Sequence, residues 1–314
     1  MGTRRNKLKI VLLDALTFGE TDLSGFDKLG EVVVYQTTSP EQTQGRITNA
    51  DVIVTNKVVI NDSHMPKCKN LKLICIAATG MNNVDLACAK ENNIEVKNVA
   101  GYSTDSVIQH TFSMLFYLMG HSRYYDEVVK DGTYSRGAIF TDVSKPFFEI
   151  KGKKWGVIGL GAIGRGVANI AKSFGAEVFY YSTSGVNRTE DFQRQNLDEM
   201  LKICDIITIH APLNDKTTNL LDYEQLLTCK DGAIVLNLGR GGIINEEAIA
   251  KIIHEKNIYF GLDVLTREPM IENHPLLSVK NKENLYITPH IAWTSVEARD
   301  KLIASVVENI ASTI

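Results

Sequence analysis

The chain is poor in the features that mark specialised protein classes. Basic and acidic residues nearly cancel, at 34 against 37, and form no basic block, which sets nucleic acid aside as a partner. No apolar run reaches the ~20 residues that a membrane span requires, so no membrane association is expected. Arg4, Arg5, Lys7 and Lys9 lack the long apolar core and small-residue cleavage site of a signal peptide. The five cysteines, Cys68, Cys75, Cys88, Cys204 and Cys229, are odd in number, scattered and without a C-x-x-C pair. Neither a disulfide framework nor a zinc site is expected from them, and no metal is implied elsewhere. They read as buried free thiols in a reducing cytosol, which places the protein in the cytoplasm.

What is present has the make-up of an ordinary globular protein, with 44% apolar and 23% charged residues. At 314 residues the chain is too long for one hydrophobic core, so two domains are expected. Strand and helix signals alternate from the start, which argues for an α/β architecture of parallel sheets covered by helices. Residues 9–14, 31–35, 51–55, 71–77 and 94–99 predict five short strands. Their Val, Ile and Leu runs are nearly continuous, as both faces of a buried sheet require. Residues 85–93 predict a helix, and 104–130 one or two more, with Val107, Thr111, Met114, Leu115 and Leu118 at helical spacing. Residues 132–148 show little pattern. A second strand–helix series runs from 154 to 264. A strand over 286–288 and an amphipathic helix over 294–314 close the chain.

The stretch from Lys153 to Ala168 organises the rest. An apolar run leads into G-x-G-x-x-G at Gly159, Gly161 and Gly164, an alanine-rich helical pattern follows, and a second apolar run covers 177–181. This is the strand–turn–helix–strand setting that a dinucleotide fingerprint needs. Gly159 allows the turn, Gly161 lets backbone approach a pyrophosphate, and Gly164 lets helix and strand pack closely. The anion would rest on the helix N-terminus, where unpaired N–H groups and the helix dipole favour negative charge.

Four further stretches follow predicted strands, the end of a parallel sheet at which ligands bind. His210-Ala211-Pro212 with Thr217 can cover one face of an adenosine, or be an ordinary strand-to-loop passage. In Asn237-Leu238-Gly239-Arg240-Gly241 a guanidinium on a glycine-rich loop suits a carboxylate, and equally suits a surface turn. Asp263, with Glu268-Pro269 beyond it, can accept from a ligand amide or cap its own loop. His290, set by Pro289, is a proton donor suited to neutral pH or a structural histidine. His64, His110, His121, His254 and His274 read as structural or solvent-facing.

Together these stretches resemble the D-isomer-specific 2-hydroxyacid dehydrogenase family over nearly the whole chain. Ala78-Thr79-Gly80-Met81-Asn82-Asn83-Val84-Asp85, Gly101-Tyr102-Ser103-Thr104 and Gln109-His110-Thr111 resemble its glycerate dehydrogenase (hydroxypyruvate reductase) branch. The resemblance implies two Rossmann/flavodoxin-like parallel-sheet domains with a cleft between them. Residues 1–101 with 291–314 form the substrate domain, and 102–290 the inserted dinucleotide domain. It implies reduction of a small 2-oxo acid to the D-2-hydroxy acid, or the reverse, with hydroxypyruvate and glyoxylate as best fits, and a homodimer joined through the nucleotide domains. Arg240 is then the ligand of substrate carboxylate and carbonyl, His290 the acid–base, and Glu268 the residue that holds the imidazole by its other nitrogen. Thr79, Gly80 and Met81 offer backbone to the carboxylate. Asp263 orients the nicotinamide carboxamide. Ala162 and Ile163 donate to the pyrophosphate, while Ser182, His210, Ala211, Pro212, Thr217, Leu238, Gly239 and His290 complete the cofactor site.

The sequence departs from the family at the end of the second strand of this unit, where an acid usually takes the ribose hydroxyls. Ser182 stands there, followed by Thr183 and Ser184, and the next arginine is Arg188. NAD(H) is slightly favoured and NADP(H) is compatible. Asn82 replaces the more usual Asp, and Gln109 the more usual Glu, without touching an implied catalytic role. Glu268 separates the chain from formate dehydrogenases, which carry glutamine there. A nucleotide-sensing corepressor-like scaffold and a D-lactate-type dehydrogenase are the remaining alternatives within the family.

Overall fold

A computed structural model describes residues 7–186 and 191–314. The chain divides into two compact units, Met1–Ser103 with Thr294–Ile314, and Thr104–Trp293.

In the first unit β1 (Leu8–Leu12), β2 (Gly30–Val34), β3 (Val52–Thr55), β4 (Leu73–Ile76) and β5 (Glu95–Asn98) form a parallel sheet in the order β2-β1-β3-β4-β5. That order is flavodoxin-like. Every residue of β3 and β4 is buried, which accounts for their nearly continuous apolar sequences. Between β2 and β3 lies α1 (Pro40–Ile47), which hydropathy does not reveal because it buries only Thr43 and Ile47. Its start is set locally: proline occupies the first turn, and the Gln42 side chain accepts from the Ser39 N–H at 3.1 Å. α2 (Leu86–Glu91) is capped by Asp85, which accepts from the Cys88 N–H at 3.0 Å. The C-terminal helix, Val296–Thr313, buries Ala298, Leu302, Ile303, Val306 and Ile310 on one stripe and packs on β4.

The second unit opens with α3 (Thr104–Met119) and α4 (Ser122–Lys130). The long helical pattern breaks between them at Gly120-His121, where His121 takes φ 47. There follow β6 (Lys154–Ile158), α5 (Ala162–Ser173), β7 (Glu177–Tyr181), β8 (Gln193–Arg194), α6 (Leu197–Ile203), β9 (Ile206–Ile209), α7 (Tyr223–Thr228), β10 (Ile234–Asn237), α8 (Glu246–Glu255), β11 (Tyr259–Leu262) and β12 (Leu285–Ile287). All pair in parallel, in the order β12-β11-β10-β9-β6-β7-β8. The direction of winding reverses between β6 and β9, the switch point at which doubly wound sheets bind ligands. β8 is two exposed residues long, too short for any periodicity to announce. Trp155 on β6 has no exposed surface, and its indole N–H reaches Thr208 at 3.1 Å. α3 lies against α5 so closely that a Cβ at Gly166 would stand 2.2 Å from Ile108.

All five cysteines are free and buried, and burial pushes Cys75, Cys204 and Cys229 up to about 12, leaving them inert thiols. Among the described residues no helix is long and apolar enough to cross a membrane.

Candidate active site

The three fingerprint glycines meet three different steric demands. Gly159, the first residue after β6, has φ 89 and abuts the backbone of His210 and Ala211, where an added Cβ would stand at 3.0 Å. At Gly164 an added Cβ would come within 2.1 Å of the Gly159 carbonyl oxygen, so only glycine lets α5 seat against its own turn. Gly161, at the N-cap of α5, would meet nothing within 4 Å, and its missing side chain leaves the first-turn amides of Ala162 and Ile163 uncapped. An open face beside uncapped amides is the shape a pyrophosphate requires.

A pocket of about 200 Å³ opens here, lined by Gly159, Gly161, Ser182, Thr183, His210 and Pro212 among others. It spans the ends of β6, β7 and β9. Ser182 is buried and donates to the Val186 carbonyl at 2.7 Å. Arg188 lies outside the described residues. His210 retains some surface, but both ring nitrogens are buried and without a partner among the described residues. Burial pushes its imidazole down to about 3, so it faces the pocket neutral. Thr217 fastens the segment by donating to the Pro212 carbonyl at 2.7 Å, and Gly239 packs on it from the other side, a Cβ there meeting the Ala211 oxygen at 2.8 Å. Glycine backbone and an orphaned polar ring around one pocket fit a dinucleotide.

After β10 the side chain of Asn237 closes a turn, accepting from the Gly239 N–H at 3.1 Å and donating to the Arg240 carbonyl at 2.9 Å. Leu238 is buried beneath it. The Arg240 guanidinium projects to the surface and donates to the Gly239 carbonyl at 2.8 Å; among the described residues no carboxylate pairs with it. Gly241 then lies so close to the Leu265–Thr266 peptide that a Cβ would overlap it at 2.0 Å. The arginine loop is thereby clamped to the loop that carries Glu268.

Glu268 bridges two groups. One oxygen accepts from the Leu265 N–H at 2.9 Å, and the other lies 2.7 Å from His290 Nδ1. A carboxylate only accepts, so Nδ1 carries the proton and Nε2 is the nitrogen turned to other partners. His290 stands at φ 56, a left-handed conformation that costs a non-glycine residue roughly 1–3 kcal/mol and persists only where its surroundings impose it. Asp263 imposes it. This buried carboxylate accepts from the Ile291 N–H at 2.8 Å, the Ala292 N–H at 2.9 Å and the Thr288 hydroxyl at 2.6 Å. Its position is therefore fixed from within the chain, with lone-pair capacity left on Oδ2.

Two histidines that the sequence does not distinguish also join carboxylates near this site. His110 on α3 places Nε2 3.2 Å from the Thr288 hydroxyl and 3.6 Å from Asp263. Burial pushes His110 down, and Asp263 opposes that shift. His274 places Nε2 2.9 Å from Glu246, which accepts from both the N–H and the hydroxyl of Thr266. The one available signal is that His110 adjoins the inward-facing Val107, Thr111 and Met114 of α3. Thr79, Gly80 and Met81 follow β4 of the other unit; the Thr79 hydroxyl donates to the Val99 carbonyl at 3.1 Å, and its own carbonyl accepts from Asn98 at 2.7 Å.

The profile of the D-isomer specific 2-hydroxyacid dehydrogenase, NAD binding domain, matches residues 112–292. The chain is 35% identical over 311 residues to a hydroxypyruvate reductase of Blautia hydrogenotrophica, covering 96% of each chain. It is 32% identical over 304 residues to a glycerate dehydrogenase of Methylorubrum extorquens, covering 96% of this chain and 95% of that one. Its fold superposes with a TM-score of 0.83 on a D-lactate dehydrogenase of Aquifex aeolicus solved with NAD and lactic acid, at 25% identity and with 97% and 94% of the two chains covered. Fold and site define an α/β oxidoreductase that works with a nicotinamide cofactor. The chain belongs to the D-isomer specific 2-hydroxyacid dehydrogenase family, in its glycerate dehydrogenase-like branch.

Proposed function

We propose that this protein reduces hydroxypyruvate and glyoxylate to D-glycerate and glycolate, and catalyses the reverse oxidation. The observation that carries this reading is the His290–Glu268 contact of 2.7 Å on a loop clamped through Gly241 to that of Arg240. The names of the two curated relatives support the substrate class.

A reduced nicotinamide supplies the hydride. Arg240 anchors the substrate carboxylate and stabilises the charge that develops on the carbonyl oxygen, so one guanidinium both positions and polarises. The proton for that oxygen comes from His290 Nε2, while Glu268 keeps the ring oriented through Nδ1 and stabilises it when doubly protonated. Asp263 orients the nicotinamide carboxamide. Ala162 and Ile163 offer amides to the pyrophosphate, and Ser182, His210, Ala211, Pro212, Thr217, Leu238 and Gly239 shape the remainder of the cofactor site. In this reading residues 102–290 are the dinucleotide domain, and 1–101 with 291–314 the substrate domain.

NAD(H) is the favoured cofactor, with NADP(H) compatible: hydroxyls and no carboxylate line the described pocket at Ser182–Ser184, and no described cation lines it to clamp a 2′-phosphate. A homodimer is supported by the strongly exposed Ile139, Phe140, Val143 and Phe147. Buried reduced thiols support a cytoplasmic location.

The test is NADH oxidation with hydroxypyruvate, glyoxylate, pyruvate and a branched 2-oxo acid, repeated with limiting NADPH. Hydroxypyruvate or glyoxylate should give the highest kcat/KM. Removing the proton donor in His290→Asn should lower kcat by roughly 10²–10⁴. Arg240→Ala should lose far more turnover than NADH affinity. No turnover on any acid would overturn the enzymatic reading in favour of a nucleotide-sensing scaffold.

A further inference from the structure

We propose that His110 is a positioning residue for proton transfer, acting on His290 through Thr288 and Asp263; the inference rests on the reading of His290 as the proton donor.

The direction of the chain follows from donor counting. Thr288 has one hydroxyl proton, and the short 2.6 Å contact assigns it to the Asp263 carboxylate, which can only accept. His110 Nε2, 3.2 Å from the same hydroxyl oxygen, must then be the donor. The bonds therefore run one way, from imidazole N–H to hydroxyl to carboxylate. Each polarises the next.

The far end of this chain is the backbone under His290. The same carboxylate accepts from the amides of Ile291 and Ala292, the two residues that follow the left-handed turn at His290. Thr288 also holds the turn from before it, its carbonyl accepting from the His290 N–H at 2.9 Å. Thr288 and Asp263 thus grip the segment on both sides of His290, and His110 fixes the hydroxyl that joins them. α3 is itself tied to this segment, since the Ser106 hydroxyl donates to the Ala292 carbonyl at 2.6 Å. His110 touches no reacting atom in this arrangement. Its contribution is to hold the imidazole of His290 at the angle from which Nε2 reaches the substrate oxygen, and misplacement by about 1 Å at such a site can cost 10²-fold in rate.

The test uses the full-length enzyme with NADH and hydroxypyruvate. His110→Leu and Thr288→Val remove the two links; His110→Gln and Thr288→Ser keep a donor and a hydroxyl. Both link-breaking variants should lose kcat by about tenfold or more, with the KM for NADH within about twofold of wild type. Because proton transfer becomes the slower event, the solvent isotope effect on kcat should rise while that of 4-deuterated NADH falls. The two conservative variants should recover most of the rate, and His110→Leu/Thr288→Val should be no slower than either single variant. Unchanged kcat in His110→Leu and Thr288→Val, additive losses in the pair, or a fall in kcat with both isotope effects unmoved would overturn the proposal. An inactive His290→Asn beside a fully active His110→Leu would sink this inference alone. A fully active His290→Asn would sink the function reading with it.

Discussion

His210 has two ring nitrogens with no partner among the described residues and an imidazole pushed down to about 3 by burial. In the unfolded chain a histidine titrates near 6.5. The unfolded state therefore binds a proton that the folded state refuses over the interval between those values. The stabilising contribution is fully present above about pH 6.5 and is lost as pH falls from there toward 3, with a slope of up to about 1.4 kcal/mol per pH unit. Denaturant unfolding at pH 4.5 and 7.5 checks this: His210→Phe should show a shallower loss of stability across that range than wild type. Equal slopes would mean that His210 titrates normally. At this scale the sequence showed which side chains are exceptional but not what holds them. Arg240, Glu268 and His290 stand out because each follows a strand beside glycine or proline. Asp263 could be read as a capping acid or a ligand acceptor, and only the fold shows it gripping Thr288, Ile291 and Ala292. His110 reaches Thr288 across 178 residues, a separation to which no local pattern is sensitive.

α5 with its glycine turn is the element on which the cofactor reading turns, and its two inner glycines make opposite predictions. Gly164→Ala would force a methyl against the Gly159 carbonyl oxygen, so α5 must lift from the turn. Overpacking of this kind costs typically about 1–3 kcal/mol, and both the unfolding midpoint and NADH affinity should fall. Gly161→Ala meets open space at φ −82, so stability should stay within about 1 kcal/mol of wild type while NADH affinity drops, because the methyl enters the room that the proposed cofactor site gives to the pyrophosphate. Denaturant titration and NADH fluorescence read both quantities. A Gly161→Ala enzyme that binds NADH normally would move the pyrophosphate off α5. Elements with buried faces were legible from sequence: β3, β4, β9 and β10 are buried at every residue and read as nearly continuous apolar runs, with Thr55, Thr208 and Asn237 the polar members. α1 and β8 were not, because one buries two residues and the other none, which leaves no apolar stripe to count. The Ser39-Pro40 start of α1 was a usable signal all the same.

For the molecule as a whole, the segment over 132–148 sets the question. It carries Ile139, Phe140, Val143 and Phe147 at 63, 89, 76 and 66% exposure, in a stretch whose one regular element is the short 3-10 helix Tyr134–Arg136. Four large apolar side chains within nine residues form a surface that a monomer would leave wet, and a net charge of only -3 offers little repulsion between copies. A second copy of the chain is the occupant proposed here. Sedimentation equilibrium should give twice the 34.9 kDa of one chain, and Phe140→Ser combined with Phe147→Ser should shift the population toward 34.9 kDa with the far-ultraviolet spectrum unchanged. Neither residue belongs to the proposed cofactor or catalytic set, so the kcat/KM of whatever monomer forms reports whether association contributes to turnover. A wild-type protein that sediments as a single chain at every concentration would remove the dimer and leave these side chains without a partner of this kind.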